Sequence, residues 1–128
     1  HKVRLFGEYD GYGPGEHTRD FIYVKDVVKV NFYFWDHPEI SGIFNCGTGH
    51  AHQFNTLAKG VLKHFGSGEL EYVPFPEVLK GKYQSFTQAD TANLLAAGYD
   101  GGFTPIEDAI AEYCELLDKT GGYYVYER

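Results

Sequence analysis

Apolar residues recur with helical spacing in the middle of the chain. Positions i, i+3, i+4, i+7, i+8 and i+11 of this stretch are occupied by Phe54, Leu57, Ala58, Val61, Leu62 and Phe65. This spacing places all of them on one face of a helix. An apolar helix face is normally buried, so we expect it to pack within this chain or against a partner.

Capping signals predict further helices on either side of this stretch. Asp26 is a suitable N-cap for a helix that reaches about Asp36. Asp90 is expected to cap a short helix over 91–97, which Gly98 ends.

The last predicted helix has the strongest start signal. Thr104 is suited to be its N-cap and Pro105 to be its first residue, and the helix is expected to end at about Lys119. Its buried face is expected to contain Ile106, Ala109, Ile110, Tyr113 and Leu117.

Short apolar runs between the helices predict strands. The runs are Phe21–Val24, Gly42–Cys46 and Leu70–Val73, and the second is followed by the glycine turn 47–49. Strands that alternate with helices predict the α/β class, with a few short strands and about four helices. A complete doubly wound dinucleotide-binding (Rossmann) domain needs about six longer strands and is therefore expected to be absent.

Residues 7–18 are rich in glycine, lack apolar periodicity and are expected to form a surface loop. Gly11, Gly13 and Gly15 are spaced like part of a phosphate-binding turn. A dinucleotide fingerprint, however, lies between a strand and a helix, whereas a proline and polar residues follow here. The spacing is therefore interpreted as loop composition.

Length and charge narrow the class of protein. The chain has 128 residues, 43% of them hydrophobic, which matches one globular domain. Its formal net charge of −7 argues against nucleic acid or an anionic membrane as the main partner. No apolar run has the length of a membrane span and no signal segment opens the chain, so a cytoplasmic protein is expected. Cys46 and Cys114 lack a CxxC spacing and are expected to be buried thiols.

Neither a nucleophilic triad nor a metal site is expected. The chain has no G-x-S-x-G turn around a serine. His50 and His52 alternate and His64 follows in sequence, but no third ligand stands at a suitable spacing. We therefore expect histidines in an exposed loop.

Two groups of residues have chemistry suited to an anionic ligand. Arg19, at the end of the loop, can present its planar guanidinium to a phosphate, or it can bond Asp20 or the backbone. The segment 80–84 combines two lysines, a tyrosine and an amide, which suits a diphosphate and a ring but also a solvated surface. The residue types alone leave these alternatives open.

Two longer segments resemble a known superfamily. Residues 19–27, Arg-Asp-Phe-Ile-Tyr-Val-Lys-Asp-Val, resemble the R-D-F-hydrophobic-x-V-x-D-V segment of extended short-chain dehydrogenases that act on nucleotide sugars. Residues 42–49 look like their G-x-[FY]-N-x-G-x-G segment. Residues 71–76, 79–90, 93–94 and 96–100 are similar, more specifically, to ADP-glyceromanno-heptose 6-epimerases. The resemblance runs from about Val3 to Leu117.

The resemblance implies a substrate and a cofactor. Enzymes of that family use NADP to oxidise the heptose at C6 and return the hydride to the opposite face, making a precursor of the lipopolysaccharide inner core. By the match of motifs, the ADP-sugar is expected to contact Arg19, Tyr83 and the segment Phe6, Gly7, Glu8 and Tyr9. The family has an F-E-G-S-like segment where this chain reads Phe6-Gly7-Glu8-Tyr9, and this chain carries extra residues before Arg19.

The resemblance also implies that catalysis belongs to a longer polypeptide. The family's nucleotide fingerprint, its Tyr-x-x-x-Lys pair and its second catalytic lysine lie upstream of these motifs, and no tyrosine of this chain has a lysine four residues later. Residues 1–128 are thus expected to be a substrate-binding C-terminal region, with 119–128 as its tail. Its expected partners are an N-terminal cofactor-binding domain and further copies in a homo-oligomer. The chain alone is expected to contain no catalytic residue and no cofactor-binding residue, to bind no NADP and to be inactive.

Two other functions stay open at this point. One is that of a different nucleotide-sugar epimerase or dehydratase of the same superfamily. The other is that of a non-catalytic module that binds a sugar nucleotide or pairs with an epimerase subunit.

Overall fold

Helices and short strands alternate along residues 2–122, the part of the chain that this computed structural model describes. In chain order they are β1 (Lys2–Phe6), β2 (Thr18–Arg19), α1 (Val24–Asp36), β3 (His52–Gln53), α2 (Phe54–Phe65), β4 (Glu69–Val73), a 3-10 turn (Glu77–Leu79), α3 (Ala92–Ala96) and α4 (Ile106–Lys119). The expected α/β class is confirmed. No helix in residues 2–122 has the length and hydrophobicity to cross a membrane. Residues 123–128 of the predicted tail lie outside the described part.

The strands form two small sheets. β1 pairs with β4 in parallel, from Lys2 opposite Glu69 to Phe6 opposite Val73. β2 pairs with β3 in antiparallel register, with Arg19 opposite His52. The prediction of a strand at Leu70–Val73 is confirmed by β4, whereas β1 was not predicted.

The strand predicted at Phe21–Val24 is wrong. These residues run as an extended connection into α1, which begins at Val24 with Tyr23 as its N-cap. Asp26 is therefore not the N-cap but lies in the first turn of the helix. A short apolar run fits a buried connection as well as a strand, and periodicity alone does not separate the two.

The strand predicted at Gly42–Cys46 is also absent from the structure. A strand needs a hydrogen-bonded neighbour, and no segment of residues 2–122 pairs with this one. Ile43 is 92% exposed. Cys46 is exposed too, contrary to expectation, whereas Cys114 is buried as predicted.

The α2 helix packs against α4, and this contact contains one part of the core. Ile106, Ile110 and Cys114 of α4 are buried, and Leu57 and Val61 of α2 pack against them. A side chain at Gly60 of α2 would meet the Ile110 Cδ1 atom at 2.8 Å, so glycine allows the two helices to approach closely.

The predicted buried face of α4 needs one correction. Tyr113 is 47% exposed, and the neighbouring Cys114 takes the inward position. The helix begins one residue later than predicted, at Ile106 with Pro105 as its N-cap. Thr104 does not cap it, because its N–H and its hydroxyl donate hydrogen bonds to Asp26.

A second part of the core lies between α1 and α3. Val30, Leu94 and Tyr99 are buried there, with the rings of Tyr33, Phe34, Phe44 and Phe103 packed around them. The predicted short helix at 91–97 is confirmed as α3 with Thr91 as its N-cap. Asp90, one residue earlier, still accepts a hydrogen bond from the Ala92 N–H at 3.0 Å.

Candidate functional site

Three aromatic rings meet at the carboxyl end of the β1–β4 sheet. Phe6 ends β1, Phe75 follows β4, and Tyr83 follows the 3-10 turn. The ring centroids of Phe6 and Phe75 are 5.3 Å apart, and those of Phe75 and Tyr83 are also 5.3 Å apart, both in edge-to-face geometry. Edge-to-face contacts of this kind hold the rings in defined orientations.

A cavity of about 360 Å³ opens beside these rings. Its walls are formed by Arg4, Leu5, Phe6, Gly15, His17, Phe54 and Tyr83. Aromatic and aliphatic walls with a few polar groups are typical of small-molecule sites, and the volume is in their usual range.

Arg19 lies against this cavity from β2. Its guanidinium carbon is 4.8 Å from the centroid of the Tyr83 ring and 5.8 Å from that of Phe54. Its Nη1 atom donates a hydrogen bond to the Thr18 carbonyl at 2.7 Å. No carboxylate within residues 2–122 forms an ion pair with it. The backbone bond was one of the open alternatives, and it leaves the positive charge of Arg19 without a counter-ion there.

Asp20 is not the partner of Arg19, because its carboxylate is engaged elsewhere. It accepts hydrogen bonds from the Thr48 N–H at 2.8 Å, the Thr48 hydroxyl at 2.6 Å, the Gly49 N–H at 2.9 Å and the Ala89 N–H at 3.0 Å. Burial raises the pKa of this carboxyl, but the hydrogen bonds outweigh it, and the net pKa lies below the ordinary 3.8. Asp20 thus ties the glycine turn 47–49 to the segment that follows Tyr83.

The glycine-rich loop carries a small hairpin. Tyr9 and Tyr12 pair across a two-residue turn in which Asp10 and Gly11 have φ of 55° and 79°. Positive φ at both positions is the geometry of a type I′ turn, for which Asp-Gly is a favoured pair. The predicted loop is therefore a structured element.

The hairpin holds the segment that contains Tyr83. The Tyr9 ring stacks on Phe75 at 4.0 Å, and its hydroxyl accepts a hydrogen bond from the Gly81 N–H at 2.6 Å. The Ser85 hydroxyl donates to the Asp10 carboxylate at 2.7 Å. Tyr83 thus lies between two anchored residues.

The structure brings together three of the six residues that were predicted to contact the ligand. Phe6 and Tyr83 line the cavity and Arg19 lies against it. Gly7, Glu8 and Tyr9 are not among the lining residues. The Gly7 N–H bonds the Val73 carbonyl at 2.7 Å, which extends the β1–β4 pairing, and Glu8 is exposed.

The cations of the segment 80–84 lie on the surface. Lys80 forms an ion pair with Glu77 at 2.6 Å, and both Lys80 and Lys82 are exposed. This arrangement favours the solvated-surface interpretation of the lysines, while Tyr83 of the same segment faces the cavity.

The histidines considered as metal ligands do not form a metal centre. Within residues 2–122 no group of three or more ligating side chains is placed to hold a metal ion. His64 instead lies 3.5 Å from Asp118, and His50 is exposed as expected.

His17 is a site residue that the sequence did not indicate. It closes the glycine-rich loop, it is only 2% exposed, and it lines the cavity. Its surroundings come from residues distant in sequence, so no local pattern indicates them.

The segment that contains β1, the hairpin, Arg19 and α1 also matches a known family. Residues 2–47 match the model of the NAD dependent epimerase/dehydratase family. The match includes the Arg19–Val27 segment and ends inside the 42–49 segment.

Solved structures of nucleotide-sugar enzymes share the fold. The ADP-L-glycero-D-manno-heptose-6-epimerase of Helicobacter pylori is 26% identical, with 91% of this chain and 33% of that chain covered and a TM-score of 0.72. The UDP-N-acetylglucosamine 4-epimerase of Methanobrevibacter ruminantium M1, in complex with UDP-N-acetylmuramic acid, is 21% identical, with 93% and 35% covered and a TM-score of 0.74.

A third similar structure contains both a cofactor and a nucleotide. The UDP-glucose 4-epimerase of Bifidobacterium longum, in complex with NAD+ and UDP, is 24% identical, with 94% of this chain and 36% of that chain covered and a TM-score of 0.71. This chain spans about a third of the length of each of the three epimerases.

Proposed function

We propose that the chain binds the ADP-sugar substrate of an NADP-dependent ADP-glyceromanno-heptose 6-epimerase. The observation that carries the proposal is the position of Arg19, which lies over Tyr83 beside an aromatic cavity and has no ion-pair partner in residues 2–122. A cation beside flat apolar walls is complementary to a nucleotide, which joins an aromatic base to a diphosphate.

In this proposal different groups bind the base, bind the diphosphate and transfer the hydride. Phe6, Phe54 and Tyr83 line the cavity in which the base would lie, and Arg19 would bind the diphosphate. NADP, bound by an N-terminal domain of the complete polypeptide, would supply the removal and return of the hydride. The residues of this chain bind and orient the sugar nucleotide.

The choice of ADP-heptose rests on residues 71–100, which resemble the heptose epimerases, and on the similarity to the Helicobacter pylori structure. Its rival is a UDP-, GDP- or dTDP-sugar enzyme of the same family. Titration of the complete polypeptide with the four classes of sugar nucleotide separates these. If the polypeptide prefers a UDP-, GDP- or dTDP-sugar, the proposed substrate is wrong, but the proposed binding site is not affected.

Replacing Arg19 with alanine tests the site itself. A charge-assisted contact between arginine and phosphate contributes about 1.5–3 kcal/mol, so Arg19→Ala is expected to weaken ADP-sugar binding roughly 10- to 150-fold. Arg19→Lys is expected to restore only part of the affinity, because lysine lacks the planar fork. Calorimetric titration of the complete polypeptide measures both.

The matched control removes a cation outside the cavity. Lys2→Ala, at the opposite end of β1, is expected to leave the affinity unchanged. Normal folding of Arg19→Ala with unchanged affinity would assign Arg19 a structural role only.

An exposed apolar surface on α1 is available for contact with the proposed cofactor-binding domain. Val24, Val28, Phe32 and Trp35 form an exposed stripe along α1, and Trp35 is 81% exposed. The unpaired segment 42–46, with exposed Ile43, follows the same helix. Apolar side chains beside an unpaired extended segment favour association with another sheet.

We therefore expect the isolated 128-residue chain to self-associate. Burying one such side chain contributes about 1.5–3 kcal/mol, so several together outweigh the solubilising effect of a net charge of −7. Light scattering across micromolar concentrations measures the association, and a Phe32→Glu/Trp35→Glu double variant is expected to reduce it. A monodisperse monomer with a cooperative melt would instead support the stand-alone binding module.

A further inference from the structure

His17 stands out among the cavity residues because one of its polar atoms is buried without a partner. Its Nε2 atom has no hydrogen-bonding neighbour in residues 2–122. Buried polar atoms in native proteins nearly always form hydrogen bonds, so an unpaired one is unusual.

Aromatic rings lie around the imidazole of His17. It stacks on Tyr12 at 5.4 Å, contacts Tyr83 edge-to-face at 5.2 Å, and lies 5.7 Å from Phe75. An apolar ring such as phenylalanine suits these surroundings without leaving a polar atom unpaired. The imidazole is therefore poorly explained by packing alone.

We propose that His17 is a specificity-determining residue that accepts a hydrogen bond from the nucleoside of the bound ligand. This inference rests on the proposed function. His17 lines the cavity with Phe6 and Tyr83, so its ring borders the space that a bound nucleotide would occupy.

The chemistry of the imidazole selects the kind of group it binds. In neutral histidine one ring nitrogen donates and the other accepts. As part of the proposal we take Nε2 as the acceptor, with the proton on Nδ1. Its partner is a donor, which means an amino group of the base or a ribose hydroxyl. Phosphate oxygens only accept hydrogen bonds, so they are expected to bind Arg19 and not Nε2.

The Tyr9–Tyr12 hairpin keeps His17 in place. Tyr12 stacks on one face of the imidazole, and Tyr9 is fixed through Phe75 and Gly81. In this proposal the glycine-rich loop positions His17 for its contact with the nucleoside.

The test compares ligands that lack one donor each. ADP, purine riboside 5′-diphosphate, 2′-deoxy-ADP and 3′-deoxy-ADP are titrated into the complete polypeptide by calorimetry. The analogue that lacks the group bound by His17 is expected to bind roughly 3- to 10-fold more weakly than ADP. In His17→Phe this difference is expected to fall to within about 2-fold, and His17→Gln is expected to keep part of it.

The outcomes separate this inference from the proposed function. If the wild-type polypeptide binds no nucleotide, the proposed function fails and the inference with it. If it binds ADP but tolerates the loss of every donor, or if His17→Phe discriminates as the wild type does, the inference on His17 is wrong and the nucleotide site stands. If His17→Phe does not fold, the comparison is made with His17→Leu, in which the same loss of discrimination is expected.

Discussion

Asp26→Ala is expected to lower the free energy of unfolding by roughly 2–4 kcal/mol. Asp26 is fully buried, and its carboxylate accepts hydrogen bonds from the Thr104 N–H at 2.7 Å, the Thr104 hydroxyl at 3.0 Å and Lys29 at 2.8 Å. Alanine leaves the Thr104 amide without its acceptor at the point where the chain turns into α4. Urea unfolding measures the loss, and Asp36→Ala, exposed on the same helix, is expected to change stability by less than about 0.5 kcal/mol.

Acid sensitivity gives a second measurement of the same group. Burial raises the pKa of Asp26, but the hydrogen bonds from Lys29 and Thr104 outweigh it, so the net pKa lies below the ordinary 3.8. A carboxyl whose pKa is lowered by folding stabilises the fold above its unfolded pKa, and this contribution disappears as the pH falls through the folded pKa. Asp26→Asn is expected to flatten the fall in stability below about pH 4. An unchanged acid profile would contradict the assignment.

Leu94→Ala is expected to have the largest effect among hydrophobic substitutions, about 2–5 kcal/mol. Leu94 has no exposed surface and lies between Val30 and Tyr99 in the core beside α1. Its removal loses the burial of the side chain and leaves a cavity among rings that are already in contact. Thermal and urea unfolding of the variant measure the change.

The next residue provides a matched control for Leu94. Leu95 lies on the same helix and is 58% exposed, so Leu95→Ala is expected to cost less than about 0.5 kcal/mol. Equal losses from the two alanine variants would contradict the assignment of Leu94 to the core, because alanine has the higher helix propensity and loses nothing on that account.

The helices were predictable because each one carries its own signal. The apolar period from Phe54 to Phe65 and the glycine at position 98 are local features, and the structure has helices at those places. The start of α4 moved by one residue because Thr104 bonds Asp26, which lies 78 positions earlier. A contact of that range has no signature in the local sequence.

The strands were harder to predict because their existence depends on distant partners. β1 forms against β4, whereas Gly42–Cys46, which was predicted to be a strand, has no neighbour in residues 2–122. Periodicity and composition are properties of a single segment, whereas a β-strand forms only when two segments pair.

Some residues of the candidate site could also be predicted from the sequence, whereas others could not. Arg19, Phe6 and Tyr83 stand in segments that resemble a family, so their proximity could be expected from sequence. His17 could not be singled out, since its burial arises from Tyr12, Phe75 and Tyr83. Nor did the sequence show that Asp20 would bind the turn 47–49 and leave Arg19 without that partner.

The parallel pairing of β1 with β4 has a consequence for synthesis on the ribosome. The paired residues Arg4 and Glu71 are 67 positions apart, so β1 leaves the ribosome long before its partner exists. At about 5–20 residues per second, the wait is roughly 3–13 s. During that time Phe6 has neither Val73 beside it nor Phe75 and Tyr83 to pack against. The cavity beside these rings therefore forms late, after translation has passed Tyr83.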